Sequence, residues 1–237
     1  MNSVFLQSTI RQRRESKSEA QEADSELENI IGRPPPSYFL PEYWDERYKK
    51  EKDIYDWYQK WDQLKHIITP EFISRDSALD VGCGSSTVPI GLINEGFQKV
   101  VGLDISKNVT DQNTERYPDV NGLEFVAGDV LSMKDLFEDN SFDVVFDKGT
   151  MDCLTSSPST SKNVPIMMKE IMRVLKQNGI FIEVSYGTPK TRLFYLEDLK
   201  DQWIISEPKK IENPNEEGHF HYIYVAQKNP VITNNES

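Results

Sequence analysis

The chain has 237 residues, with 39 acidic side chains against 27 basic ones for a net charge of −12, 37% hydrophobic and 11% aromatic residues. That length holds one substantial α/β domain with tails rather than two full domains, and the apolar share suffices for a real core. No apolar run approaches the roughly 20 residues that span a bilayer, and an acidic body repels phosphate backbones, so neither membrane nor nucleic acid is the expected partner; a basic protein is.

Residues 1–37 carry five basic and six acidic side chains, few large apolar residues after Ile10, and the closing run Arg33-Pro34-Pro35-Pro36. This composition reads as a disordered N-terminal arm. Within it Arg11, Arg13, Arg14 and Lys17 stand among serines as in a mitochondrial presequence, but Glu15, Glu19, Glu22 and Asp24 run against that reading. Residues 38–228 form the expected domain and 229–237 a flexible tail. In that domain Ala78–Val81 is a short buried strand leading into glycines, and Val88–Glu95 a helix that Gly96 can cap. Lys99–Asp104, Leu123–Ala127 and Phe142–Phe146 are the next three strands. Val164, Met167, Met168, Ile171, Met172 and Leu175 recur at helical spacing up to Asn178-Gly179, and Ile180–Tyr186 is a fifth strand. Trp203–Ile205 and His219–Ala226 follow with only a polar loop between them, which predicts an antiparallel hairpin. The alternation predicts a Rossmann-like α/β fold: a mostly parallel seven-stranded sheet with a C-terminal antiparallel hairpin and helices on both faces. Two cysteines, Cys83 and Cys153, are too few for a disulfide framework and lack metal-ligand spacing, so a reducing compartment and no metal are expected.

The chemistry sits at the strand ends. The first strand closes in Asp80-Val81-Gly82-Cys83-Gly84-Ser85-Ser86, where glycines admit a ligand close to the backbone and the next helix offers free N–H groups. Asp104 ends the second strand 22 residues beyond Gly82, the place for a carboxylate that accepts from ribose hydroxyls. A dinucleotide site asks for a third glycine three residues after Gly84, and Thr87 stands there instead. Asp129, past the third strand, can accept from an adenine amino group. Together these residues favour S-adenosylmethionine over a dinucleotide. Cys153 lacks the preceding proline of the RNA cytosine methyltransferases and reads as a small buried residue. His219 and His221 share one strand face that could line a substrate mouth.

Four segments carry a family resemblance: Tyr43-Trp44-Asp45-Glu46-Arg47-Tyr48, Tyr55-Asp56-Trp57-Tyr58, Gly82-Cys83-Gly84-Ser85-Ser86 and Asp147-Lys148-Gly149-Thr150-Met151-Asp152. Over about residues 38–228 the chain resembles the class I methyltransferases that modify lysines of translation elongation factor 1-alpha, including the relative fused to endothelin-converting enzyme. The resemblance implies Trp44, Tyr48 and Trp57 over the cofactor, Gly82 beneath its methionine part with Gly84 in the matching loop, Asp104 and Ile105 at its ribose, Asp129 and Val130 at its adenine, and Lys148 facing the pocket. A sulfonium prefers aromatic faces, which suits such a roof. Asp147 and Asp152 border the implied methyl position and are the candidates for orienting the acceptor or taking its proton. The chain departs from the family at Ser85, where an asparagine is usual, and at Asp147, where relatives carry glutamate.

The resemblance thus implies protein-lysine N-methylation of elongation factor 1-alpha by a cytoplasmic monomer. The citrate synthase lysine methyltransferases share much of the pattern and become the alternative if the arm is a cleaved presequence. Small-molecule methylation and a non-catalytic cofactor-binding subunit are the remaining readings.

Overall fold

The computed structural model describes residues 37–197, 199 and 201–229. Of the expected arm only Ser37, and of the expected tail only Asn229, fall among them. Two helices come first, α1 (Pro41–Lys50) and α2 (Trp61–Ile68). Pro41 suits the first turn of α1, where no N–H is needed, and Arg47, Lys49 and Lys50 sit in the last turn, where exposed carbonyls favour cations. The alternating part follows: β1 (Ser77–Val81), α3 (Val88–Asn94), β2 (Lys99–Asp104), α4 (Lys107–Arg116), β3 (Leu123–Ala127), β4 (Phe142–Lys148), α5 (Thr150–Thr155), α6 (Thr160–Val174), β5 (Leu175–Ser185) and α7 (Pro189–Glu197). Three strands close the chain: β6 (Trp203–Ile205), β7 (Lys209–Glu212) and β8 (Phe220–Lys228).

The sheet runs β3-β2-β1-β4-β5-β8-β6, with β7 also paired to β8. Strands β1 to β5 are parallel, and β8 is antiparallel to β5, β6 and β7. The expected hairpin is the β6–β8 pair, with Trp203 opposite Lys228. β7 is an eighth strand that the sequence reading passed over. Its residues Lys209-Lys210-Ile211-Glu212 hold one apolar side chain, and pairing with Phe220–Ile223 rather than alternation keeps it extended. The Gly96 cap forms as expected, since Gly96 N–H donates to Ile93 and Phe97 N–H to Leu92. The helix before β5 ends sooner than its periodicity predicts. Leu175 already pairs with Phe142, and the chain bulges through Asn178, at φ 61°, before Ile180 pairs with Val144.

Strand alternation sorts the core into two layers. Leu79, Val81, Val145 and Phe181 face the side covered by Val164, Met167, Met168 and Ile171 of α6 and Leu196 of α7. Ala78, Val144, Phe146, Ile180 and Ile182 face Trp61, Leu64 and Ile68 of α2 and Val88 and Leu92 of α3. Leu64 and Ile68 are fully buried, each contributing about 1.5–3 kcal/mol. The same alternation puts Asp80 and Lys148 on the α2/α3 side of the strand ends, and Asp147, Glu183 and Ser185 on the α6/α7 side. Strand order reverses between β1 and β4, which opens a crevice at their C-terminal ends. Among the described residues no helix is long and apolar enough to cross a membrane.

Candidate active site

A cavity of about 560 Å³ occupies that crevice. Its floor is the β1–α3 turn. Gly82 and Gly84 have φ of 65° and 51°, and both positions are crowded: a Cβ on Gly82 would lie 1.9 Å from Thr150 Oγ1, and one on Gly84 2.6 Å from the Tyr48 hydroxyl. A larger residue at either place strains the backbone and must push that neighbour aside. Asp104, 6% exposed, accepts from Gly84 N–H through Oδ2 and from Ser106 N–H through Oδ1, each at 2.9 Å. Burial pushes its carboxyl up to about 6 despite these donors. Ile105, Asp129 and Val130 continue the wall, with Asp129 at the exposed rim, where its Oδ1 accepts from Leu131 N–H at 2.8 Å.

The roof comes from the segment before β1. Trp44 and Tyr48, one helical turn apart, stack at 5.9 Å, and Trp57 meets Trp44 edge-on at 6.0 Å. Tyr38 and Tyr55 complete the ring cluster, with the Arg47 guanidinium over Trp44, Tyr55 and Trp57. α1 is held to α4 by Gln112 donating to the Tyr48 carbonyl at 2.6 Å and Ser106 donating to Asp45 at 3.0 Å. Residues 53–58 form a strap pinned by Asp56, a residue the sequence reading did not single out. Its carboxylate accepts from the Ser86 and Thr87 hydroxyls at 2.6 and 2.8 Å and from Thr87 N–H at 3.2 Å.

Lys148 reaches the cavity wall, yet its ammonium is engaged with the strap: Nζ lies 3.3 Å from Asp56 Oδ1 and donates to the Trp57 carbonyl at 2.9 Å. Burial lowers its pKa while Asp56 and Asp80 oppose that shift. Asp80 lies beside it with Oδ2 buried and without a hydrogen-bond partner, and burial pushes its carboxyl well up against the pull of Lys148.

At the far end the two carboxylates expected near the acceptor part company. Asp147 does not line the cavity: its oxygens accept from Thr150 and Met151 N–H at 2.7 and 3.0 Å, capping α5, and burial pushes its carboxyl up to about 7. An acid just ahead of a helix start is the signal that foretells this. Asp152 does line the cavity. Its Oδ1 accepts from Ser185 Oγ at 2.7 Å and from Arg192, while Oδ2 is buried without a partner. Arg192 Nε is also 2.9 Å from Glu183 Oε1, so one guanidinium serves two buried carboxylates. Cys153 is half-buried on the cavity wall rather than buried, with its thiol pushed up to about 12 by burial. The two histidines separate: His221 is buried with Nδ1 3.0 Å from Gln59 Nε2, while His219 is exposed beside Glu216.

The lining tests the cofactor. Lys148 is the one basic side chain among the lining residues, and it is already engaged, so no side-chain cation there is free to pair with a pyrophosphate. An orphaned acid at Asp80, a buried acid at Asp104 and a roof of rings instead suit a cation carrying an adenosine. Residues 74–229 match the Methyltransferase domain family. The chain belongs to this family. S-adenosylmethionine is the cofactor of this methyltransferase.

Over 206 residues the methyltransferase is 28% identical to mouse eEF1A lysine methyltransferase 4, covering 83% of this chain and 78% of that one. Its bovine counterpart is 32% identical over 161 residues, covering 64% and 62%. The bovine eEF1A lysine and N-terminal methyltransferase is 29% identical over 164 residues, of which this chain spans only 23% of the longer protein. Among solved structures, the 1,6-didemethyltoxoflavin-N1-methyltransferase of Burkholderia thailandensis, with S-adenosylhomocysteine bound, has a TM-score of 0.63 at 15% identity and covers 83% of this chain and 92% of that one. A Methanosarcina mazei methyltransferase reaches 0.54 at 20% identity, covering 69% and 98%. Both share the fold.

Proposed function

We propose that this methyltransferase modifies a lysine side chain of translation elongation factor 1-alpha in the cytosol. The observation that carries the reading is the match to mouse eEF1A lysine methyltransferase 4 across 78% of that protein. The lining supports it: Asp80, Asp104 and Asp152 border the cavity, and its one basic side chain, Lys148, is taken up by Asp56.

When bound, S-adenosylmethionine supplies a methyl group on a sulfonium, open to in-line attack by an amine. Trp44, Tyr48, Trp57, Gly82, Gly84, Asp104, Ile105, Asp129 and Val130 hold it, and Lys148 fixes the strap above it. A lysine at its ordinary pKa of 10.4 must shed a proton, which costs about 4.6 kcal/mol at pH 7. Holding the amine at attack distance supplies about 7–11 kcal/mol, more than general-base action does. Asp152 Oδ2 is the group offered to that amine; Asp147 contributes by holding α5, which carries Asp152.

Incubating the protein with labelled S-adenosylmethionine and unmodified recombinant elongation factor 1-alpha tests the reading. The expected result is a labelled factor, lost on Lys→Arg at the modified position. The rate should climb toward pH about 9 as the neutral amine grows, and fall with salt at low substrate. Labelling of citrate synthase with none of the elongation factor overturns it.

A further inference from the structure

Tyr58 is the described residue, asparagines and glycines apart, that has a positive φ, 65°. Gln59 N–H donates back to the Trp57 carbonyl at 2.8 Å, so Tyr58 is the centre of a three-residue γ-turn of the strained hand. Such strain costs on the order of 1–3 kcal/mol and persists only where surroundings impose it. Two buried side chains do so here. Lys148 donates to that same carbonyl, and Gln59, 1% exposed, donates to the Glu212 carbonyl at 2.6 Å and meets His221 at 3.0 Å.

The strain aims one ring. Tyr58 lies on His221 at 4.8 Å, its edge 3.1 Å from where a Cβ on Gly149 would stand, with its hydroxyl beside the Asp152 carboxylate. Tyr186 faces it at 6.0 Å. Tyr186 is 58% exposed although it lines the cavity, so it stands at the mouth. Its loop is stapled: Gly187 N–H and Arg192 donate to Ser185 Oγ at 2.8 and 3.0 Å, and Tyr224 donates to the Gly187 carbonyl at 2.6 Å. The held Tyr58 ring and the Tyr186 ring at the mouth therefore share the cavity lining with Asp152, a carboxylate whose Oδ2 is buried and unpartnered. That shape complements a nitrogen carried on a methylene stem: the rings take the stem and the charge, the carboxylate takes the N–H.

We propose that Tyr58, Tyr186 and Asp152 form the subsite that receives the acceptor as an alkylammonium, with Tyr58 as its positioning residue. This deepens the reading above and rests on it for the identity of the acceptor, but its test does not need the protein substrate. The probe is n-butylammonium chloride, the stem and charge of a lysine, followed by saturation-transfer NMR on the protein loaded with S-adenosylhomocysteine. Wild type should show transfer to the probe's methylenes. Tyr186→Ala and Asp152→Asn should lower it at least fivefold, while Phe194→Ala, an exposed ring outside the cavity lining, should not. Tyr58→Phe keeps the ring and fold but removes the hydroxyl that lies beside Asp152 and orients it; it should lower kcat on the protein substrate about tenfold, with KM and S-adenosylhomocysteine affinity within threefold of wild type. No transfer in wild type, or transfer unchanged in both Tyr186→Ala and Asp152→Asn, overturns the subsite. Unaltered kcat in Tyr58→Phe overturns the positioning role. Intact amine binding without labelling of elongation factor 1-alpha overturns the substrate reading alone.

Discussion

Replacing Asp104 with asparagine separates the charge of this site from its shape. The carboxylate is 6% exposed and each oxygen already accepts one backbone N–H, so its remaining lone pairs point to the cavity it lines. Asparagine fills the same space with one acceptor oxygen and no charge. A charge-assisted hydrogen bond contributes about 1.5–3 kcal/mol, so the variant should bind S-adenosylhomocysteine about 10- to 150-fold more weakly at pH 8. Acid should narrow that difference. The wild-type carboxyl titrates at about 6 in the free protein, and on the ribose assignment its anion is the form that would accept the hydroxyls. Wild-type affinity should therefore be level above pH 7 and weaken below 6, toward tenfold per pH unit, while the variant lacks this component, so the gap shrinks about tenfold between pH 8 and pH 5. Asp147, also raised, titrates in both proteins, whereas Asp80, raised in part by the Asp104 charge, is lowered in the variant. The sign for stability is opposite. A carboxyl raised from 3.8 to about 6 takes up a proton on folding between those values, so the free protein loses about 3 kcal/mol from this group as pH rises through that window. Isothermal calorimetry and thermal melts from pH 5 to 8 measure both. Variant affinity within threefold of wild type at pH 8 would refute the assignment of Asp104 to the ribose.

Arg192→Met leaves Asp152 and Glu183 buried without their shared cation and should cost about 3–5 kcal/mol, a fall in melting temperature of roughly 6–20 °C; a fall under 2 °C would show the pair is not held as described. Asp56→Ala strands Lys148 and frees the Ser86 and Thr87 hydroxyls, so it should lower both the melting temperature and cofactor affinity, read by the same melts and by calorimetry. Gly82→Ala must displace Thr150, whose hydroxyl donates to the Val81 carbonyl at 2.8 Å, and should weaken cofactor binding at least tenfold in the same titration.

Much of the fold was legible because its signals are local. β2 and β3 fall at their expected bounds since short apolar runs end at turns, and Gly82, Gly84 and Asp104 meet because parallel strands bring successive C-terminal ends together. What escaped depends on distant partners. Asp56 looks like a surface acid until Lys148, 92 positions on, reaches it. Nothing in a tyrosine's chemistry announces a positive φ at Tyr58, and Arg192 is one arginine in a polar stretch until Glu183 and Asp152 enclose it. Asp147 shows the reverse, since its family motif drew attention to chemistry while its spacing to Thr150 spells a helix cap.

The bracing of the γ-turn has a consequence for the order of synthesis. The aromatic roof leaves the ribosome early, yet Lys148, Glu212 and His221, which hold its last residues in place, come about 90–160 positions later. At 5–20 residues per second that interval is on the order of 5–30 s. Through it Trp44, Tyr48 and Trp57 are made but have no completed floor to cover. The parallel sheet can assemble as its strands emerge, whereas the cavity closes only when β8 slots beside β5. A nascent chain stalled before residue 212 should thus carry the glycine turn and Asp104 without retaining the cofactor.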